Sequence, residues 1–326
     1  MSGPGAPLSP SGRVLPPYPH AQPELYHRTL RTWTYAAWRP IVGIALTVGL
    51  GIVVGPLVVT ALVGVGLAFF APDQASGYMS DLAELTITPA VLLTVNLSLA
   101  MLIPTTFLAI RVLHGMRPRW LSSVRPGLRW GLLAQLIGLA LLASVVFSLA
   151  LGFVAPQAMP TEESDQLSTG TTVAYLVVIL LTSPLQSAAE EYAFRGYLLQ
   201  AFGALVRNRL FTLLLTSLLF ALAHGGQDLP LFTDRFLFGL VAGALVIYTG
   251  GLEAGIALHI VNNVVVLAIA TLTGAVSETL NVSEATWSML LLDIGQLLVF
   301  ALLVVWWVRR KKLRTHSEGP PAAAQV

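Results

Sequence analysis

Eight apolar runs divide the chain, at about 41–71, 86–110, 130–154, 171–199, 210–224, 236–250, 252–273 and 287–308. A helix that crosses the hydrocarbon layer needs about 20 apolar residues. Most of these runs supply them; 210–224 and 236–250 are short. Backbone polar groups in lipid must be satisfied within the segment, and runs of this length do so only as helices. The expected fold is therefore all-α, a polytopic bundle of about eight transmembrane helices. Composition agrees, with 55% hydrophobic and 10% charged residues, against about 25% charged in soluble domains. The first run begins near Pro40, too deep and too long for a cleaved signal peptide, and reads as a retained span. The chain has no cysteine, which excludes disulfides, thiolate nucleophiles and thiolate metal sites.

The charges that remain are sorted by side. Apart from Arg195 and Arg235, every one of the 18 Lys and Arg residues falls before the first span, between spans two and three, between four and five, or after the last. The alternate loops hold Asp73, Asp81, Glu84, Glu162, Glu163, Asp165, Asp228, Asp234, Glu278 and Glu284. The positive-inside rule then puts both termini in the cytoplasm. Residues 1–39 read as a Pro/Gly-rich cytoplasmic tail, disordered to about Glu24 and ending in a short interfacial helix. Residues 40–308 form the membrane domain, and 309–326 a basic cytoplasmic tail. No internal repeat is evident. Gly51–Gly55, Gly239–Gly243 and Gly251–Gly255 have small-xxx-small spacing, which reads as ordinary helix packing rather than a dimer interface. The basic loop Arg111–Arg129 is expected to lie on anionic lipid.

Three charges break the fourth run near its end, in Glu190-Glu191-Tyr192-Ala193-Phe194-Arg195-Gly196. At membrane depth each costs roughly 2.5–3.5 kcal/mol even on gentle scales, so they must face a protein interior or a wet cavity. On a helix Glu191 and Arg195 are four apart and pair on one face. Glu190 points about 100° away, without that partner. Both acids could simply neutralise Arg195; alternatively, an unpaired buried carboxylate suits a general base. His224 ends the fifth run after Phe220-Ala221-Leu222-Ala223, where a capping role competes with a catalytic one. His259 lies in the seventh run, with Asn263 one turn on and Asn262 close to the same face. Those amides need partners in a membrane helix, so a polar seam between helices is the plain alternative. The other histidines, His20, His27, His114 and His316, fall in predicted tails or loops. Glu190, His224, His259 and Asn263 together make a usable hydrolytic set. Glu190 would deprotonate a water held by His224, while His259 and Asn263 donate to the developing oxyanion.

The series Glu190-Glu191-xxx-Arg195, Phe220-xxx-His224 and His259-xxx-Asn263, in that order over about 170–275, resembles the motifs of the CPBP intramembrane proteases. That family includes the CAAX prenyl endopeptidases and the bacteriocin-processing or Abi proteins. The resemblance implies a glutamate-dependent peptide hydrolase whose cavity opens within the membrane. Glu190 would be its first acid, with His224, His259 and Asn263 as the other catalytic groups. Glu191, Arg195, Phe220 and Asn262 would support them. No cofactor is expected. A zinc-dependent version would use Glu190, His224 and His259 as ligands and water as the fourth, although the His-Glu-xx-His helix motif is missing. A non-catalytic scaffold, an immunity protein and a transporter are the readings from other classes. The expected partners are the bilayer and a peptide or membrane-protein substrate, not nucleic acid, and the expected location is a bacterial cytoplasmic membrane. A straight helix 210–224 raises a question of depth. It would carry His224 to the outer face, away from Glu190 and His259.

Overall fold

The computed structural model describes residues 19–154 and 167–319. Those residues fold into helices, with no strand beyond two isolated bridges, Leu25 to His316 and Ser123 to Gly251. The chain runs α1 (Trp38–Phe70), α2 (Pro72–Ala83), α3 (Pro89–His114), α4 (Trp130–Val154), α5 (Thr169–Leu205), α6 (Arg209–Leu222), α7 (Leu229–Thr249), α8 (Glu253–Thr273), α9 (Val276–Leu280) and α10 (Trp287–Lys311). A one-turn helix at Arg119–Ser122 lies between α3 and α4. Seven of them (α1, α3, α4, α5, α7, α8 and α10) are long and apolar enough to cross a membrane. This is a multi-pass membrane protein.

Local chemistry sets the boundaries. Thr88, Ser168, Asn208, Asp228 and Thr286 each accept a hydrogen bond from a first-turn N–H of the helix that follows, as N-cap residues do. Pro72, Pro89 and Pro230 occupy first-turn positions, where the missing N–H costs nothing.

The helix count differs from the sequence expectation at the two short runs. The run at 236–250 extends back to Leu229, because Asp228 caps the helix and Asp234 and Arg235 lie inside its first turns rather than in a loop. The run at 210–224 stays short, with 14 helical residues, about 21 Å of rise. It is an apolar helix buried in part against α7 rather than an eighth full span. The fourth run extends from Leu199 to Leu205. That extension brings Glu190 and His224 to a similar level along the bundle. Glu190 stands fifteen residues before the end of α5, and His224 fifteen residues after the start of α6, so both lie about 22 Å from the same end of the bundle.

The terminal segments also differ from expectation. Residues 19–37 are packed, with a single 3-10 turn at Tyr26–Arg28 in place of an interfacial helix. Tyr26 and Leu30 are fully buried, and the Tyr26 hydroxyl donates to the Leu121 carbonyl. Arg31 Nε donates to the Ala204 carbonyl at 2.7 Å, and the His20 ring sits edge-on to Trp120. The segment lacks helical periodicity, yet its aromatic and leucine side chains fill the space between the end of α5 and the Arg119–Ser122 turn. Past α10 the chain folds back, and Ser317 and Glu24 exchange backbone and side-chain hydrogen bonds. Residues 1–18 and 320–326, which the expected tails include, lie outside the described residues.

Helix α5 is the axis of the bundle. It packs against α3 on one side and α8 on the other, and α8 in turn touches α4 and α7. Asn96 of α3 donates to Thr182 at 2.8 Å and Ser183 at 3.0 Å on α5, beside Pro184. The small-xxx-small glycines serve contacts within the chain. Gly51 and Gly55 of α1 meet Leu102 and Met101 of α3, and Gly239 and Gly243 of α7 meet Ser217 and Leu213 of α6. Exposed apolar side chains such as Leu57, Leu62, Leu181 and Leu302 cover the outside, as expected of surfaces that face lipid.

Candidate active site

The acid pair sits where α5 changes its winding. Residues Thr169–Glu191 are α-helical, and the next turn, Tyr192–Leu198, is π-helical. Such wide turns recur at functional positions, because they let side chains leave the regular helical faces. Glu191, fully buried, receives Arg195 Nη1 at 2.7 Å, as the four-residue spacing requires. The guanidinium carbon lies 4.0 Å from the centre of the Phe220 ring. Phe220 in turn stacks on Phe238 of α7, with ring centres 5.8 Å apart. Arg195 is therefore sandwiched between a carboxylate and an aromatic face, an arrangement that keeps a desolvated cation in place.

His259 of α8 closes the cluster. Its Nδ1 lies 2.9 Å from Glu191 Oε1. A carboxylate only accepts, so Nδ1 carries the hydrogen. Its Nε2 then faces Glu190 Oε2 at 3.6 Å. Phe220 and Phe238 stand edge-on to the imidazole at 6.0 and 5.1 Å. Glu191 thus serves two partners, Arg195 and His259, whereas Glu190 accepts from Gln186 Nε2 at 2.7 Å. Gln186 lies one turn earlier on α5, and its Oε1 accepts from Asn263 Nδ2 at 3.0 Å. The Asn262 amide is 3.4 Å from Asn263 Oδ1. The seam therefore runs Arg195, Glu191, His259, Glu190 and Gln186, all buried, and ends at the half-buried Asn263.

His224 lies just past the end of α6. Its Nδ1 is 2.8 Å from the Phe220 carbonyl, and its ring stands 4.8 Å from the Phe220 ring. A carbonyl accepts, so Nδ1–H donates and Nε2 presents a free lone pair in the neutral imidazole. Unlike the seam, His224 is exposed. It stands within electrostatic range of Glu190, His259 and Arg235.

The structure brings together Glu190, Glu191, Arg195, Phe220, His259, Asn262 and Asn263, and places His224 at their edge. Gln186 and Phe238 belong to the same cluster and are not anticipated from the sequence. A polar residue four before Glu190, in an otherwise apolar stretch, is the signal that points to Gln186. A zinc ion would need Glu190, His224 and His259 to converge. Among the described residues no group of three His, Asp or Glu side chains is placed to hold a metal.

A buried acid pair with imidazole and amide partners, set in a helical membrane bundle, defines a class of membrane protein with a polar intramembrane cluster. Residues 171–265 match the model of the family described as Type II CAAX prenyl endopeptidase Rce1-like. Every residue of the cluster lies within that segment, and the resemblance expected from the three motifs is shown there. The chain is also 30% identical over 156 residues to the uncharacterized protein YyaK of Bacillus subtilis strain 168. That alignment covers 44% of this chain and 51% of the relative, so the chain spans about half the length of the protein it matches. No solved structure matches the chain.

Proposed function

We propose that this protein is an intramembrane endopeptidase that hydrolyses a peptide bond in a peptide or membrane-associated protein, acting from a bacterial cytoplasmic membrane. One observation carries the reading. Of two adjacent buried carboxylates, Glu191 is neutralised by Arg195 and accepts a hydrogen bond from His259, while Glu190 is held by a neutral amide at Gln186 and faces the same imidazole. A scaffold has no use for that asymmetry. A hydrolase needs one fixed counter-ion and one carboxylate able to exchange a proton. The Rce1-like match at 171–265 points to the same reaction class.

In this reading a water molecule lies between Glu190 and the free Nε2 of His224. Glu190 takes a proton from the water as its oxygen bonds to the scissile carbonyl carbon. The oxyanion that forms is met by the second N–H of the Asn263 amide, whose first N–H is used on Gln186. His259 contributes a further donor at Nε2 when it is doubly protonated, with Glu191 holding its Nδ1–H. The tetrahedral centre collapses, the C–N bond breaks, and Glu190 returns the proton to the leaving amine. The products are a carboxylic acid and an amine. Each well-placed oxyanion donor contributes roughly 2.7–4 kcal/mol to such a step. Phe220 and Phe238 exclude water from the Arg195 side of the seam, which keeps Glu191 out of the chemistry.

The test is cleavage of a peptide library by the protein reconstituted in liposomes, with and without a chelator. Cleavage that survives chelation and vanishes in both Glu190→Gln and His224→Ala is the expected result. Loss on chelation with recovery on adding zinc would replace the metal-free mechanism. No cleavage of any peptide, from protein that is folded by thermal unfolding, would remove the endopeptidase reading.

A further inference from the structure

Four consecutive basic residues close α10, and the structure sends them to two places. The Arg310 guanidinium lies 4.3 Å over the Trp306 ring, and the Lys311 ammonium 5.0 Å over that of Trp307. These are the contacts of side chains anchored at headgroup level. Arg309, in the last turn of α10, and Lys312, its C-cap, border instead a cavity of about 820 Å³ between α6, α7 and α10. Arg209, the first residue of α6, borders the same cavity. All three cations are exposed, and none makes an ion pair or hydrogen bond among the described residues. Lys312 also departs from the helix, with φ at 47°, a conformation that non-glycine residues seldom adopt.

The cavity is built for a ligand with one charged end. No acidic residue lines it. Leu213, Ala244, Leu245, Val305 and Val308 form its apolar floor. Tyr248, 38% exposed, lies with the cations at its border, and its hydroxyl has no hydrogen bond among the described residues. A soluble anion would gain nothing from the apolar floor, and an apolar segment nothing from the cations. An amphiphile with an anionic head uses both.

We propose that this groove binds one anionic phospholipid, its phosphodiester held by Arg209, Arg309 and Lys312 and an acyl chain laid along α6, α7 and α10. The Tyr248 hydroxyl supplies a further donor to the phosphate. The Trp306 and Trp307 anchors set the depth at which the headgroup meets the three cations.

Native mass spectrometry of the purified full chain, titrated with phosphatidylglycerol or phosphatidylcholine, tests this. Wild type should retain one phosphatidylglycerol in preference to phosphatidylcholine. In the triple variant Arg209→Gln, Arg309→Gln, Lys312→Gln the affinity should fall about a hundred-fold, the loss of three surface cations. A control with the same charge removed away from the groove, Arg111→Gln, Arg117→Gln, Arg119→Gln, should stay within about two-fold of wild type, as these exposed side chains do not line the cavity. Ala244→Phe narrows the floor without touching a charge and should weaken the long-chain lipid but not its dihexanoyl analogue. Equal losses in the two triple variants would mean diffuse attraction and overturn the proposal. So would displacement of the lipid by millimolar inorganic phosphate, or equal retention of the two lipids. Ala244→Phe keeps the test decisive if the groove triple variant does not fold.

Discussion

Glu190 and Glu191 are neighbours in sequence whose surroundings give them different work, and substitution should separate them. Glu190→Gln keeps the shape and an oxygen for Gln186 to donate to, but removes the proton acceptor. Cleavage should fall about 10²–10⁴-fold, with stability changed by less than ~1 kcal/mol. Glu191→Gln leaves Arg195, 2% exposed, without its counter-ion. It should destabilise the protein by about 3–5 kcal/mol, a cost visible in thermal unfolding whether or not substrate is present. Thermal unfolding and cleavage per folded molecule, measured on both variants, decide the matter; a stable Glu191→Gln beside an unstable Glu190→Gln would invert the assignment. The Glu191–Arg195 pair was legible in the sequence because charge in an apolar run is costly and four-residue spacing leaves one geometry. Gln186 and Phe238 were not, since a neutral amide and one more aromatic raise no such alarm. Nor was the pairing of Arg129 with Glu253, 2.6 Å apart with Glu253 fully buried. It joins residues 124 positions apart, and no local periodicity reports that.

At the scale of the element, α8 approaches α5 so closely that one methyl group should be felt. A Cβ on Gly255 would lie 2.4 Å from Glu191 Oε2 and 3.1 Å from Val246 Cγ2. Gly255→Ala must therefore push α8 outward, or displace the buried carboxylate that anchors His259 one turn on. The expected cost is about 1–3 kcal/mol, together with reduced cleavage as His259 leaves Glu190. Gly66→Ala is the control, because a Cβ there meets nothing within 4 Å. Helix propensity alone should make it neutral or stabilising by up to ~1 kcal/mol. An equal response at the two glycines would show that α8 tolerates the methyl and that its close approach does not position His259. Hydrophobic runs made the existence of these helices plain. Their ends were less legible. Asp228 caps α7 eight residues before the apolar run begins, and α5 continues past Leu199 because its last turn, buried by residues 19–37, needs no lipid-facing apolar surface.

At the scale of the whole molecule, the segment 19–37 couples the bundle to pH. His27 is buried with its carbonyl oxygen tight against Gly203 of α5, and its Nδ1 has no partner. Burial, with Arg28 and Arg209 nearby, holds the imidazole down to a pKa of about 4, from an ordinary 6.5. Burial also lowers His20, against a smaller opposing pull from the Thr29 carbonyl and Glu24. Once the segment is released, His27 takes up a proton at about 6.5, so the docked state binds fewer protons than the released one throughout the interval between. Docking is then strongest above pH 6.5, weakens as pH falls toward 4, and loses nothing further below that. Over the whole interval the loss amounts to up to ~3 kcal/mol. Trypsin should accordingly cut after Arg28 and Arg31 faster at pH 5 than at pH 7.5, once corrected for the enzyme's own pH profile on an unstructured peptide. His27→Gln, which cannot charge, should remove most of that difference while leaving His20 to supply the remainder. An unchanged pH dependence in His27→Gln would place the proton uptake elsewhere. The segment has no membrane helix of its own, and the hydrogen bonds of Tyr26 to Leu121 and Arg31 to Ala204 tie it to α5 and the turn beneath it. Acid release should therefore expose the end of α5 that lies about 22 Å from Glu190, and hydrogen exchange at residues 199–205 should rise over the same interval.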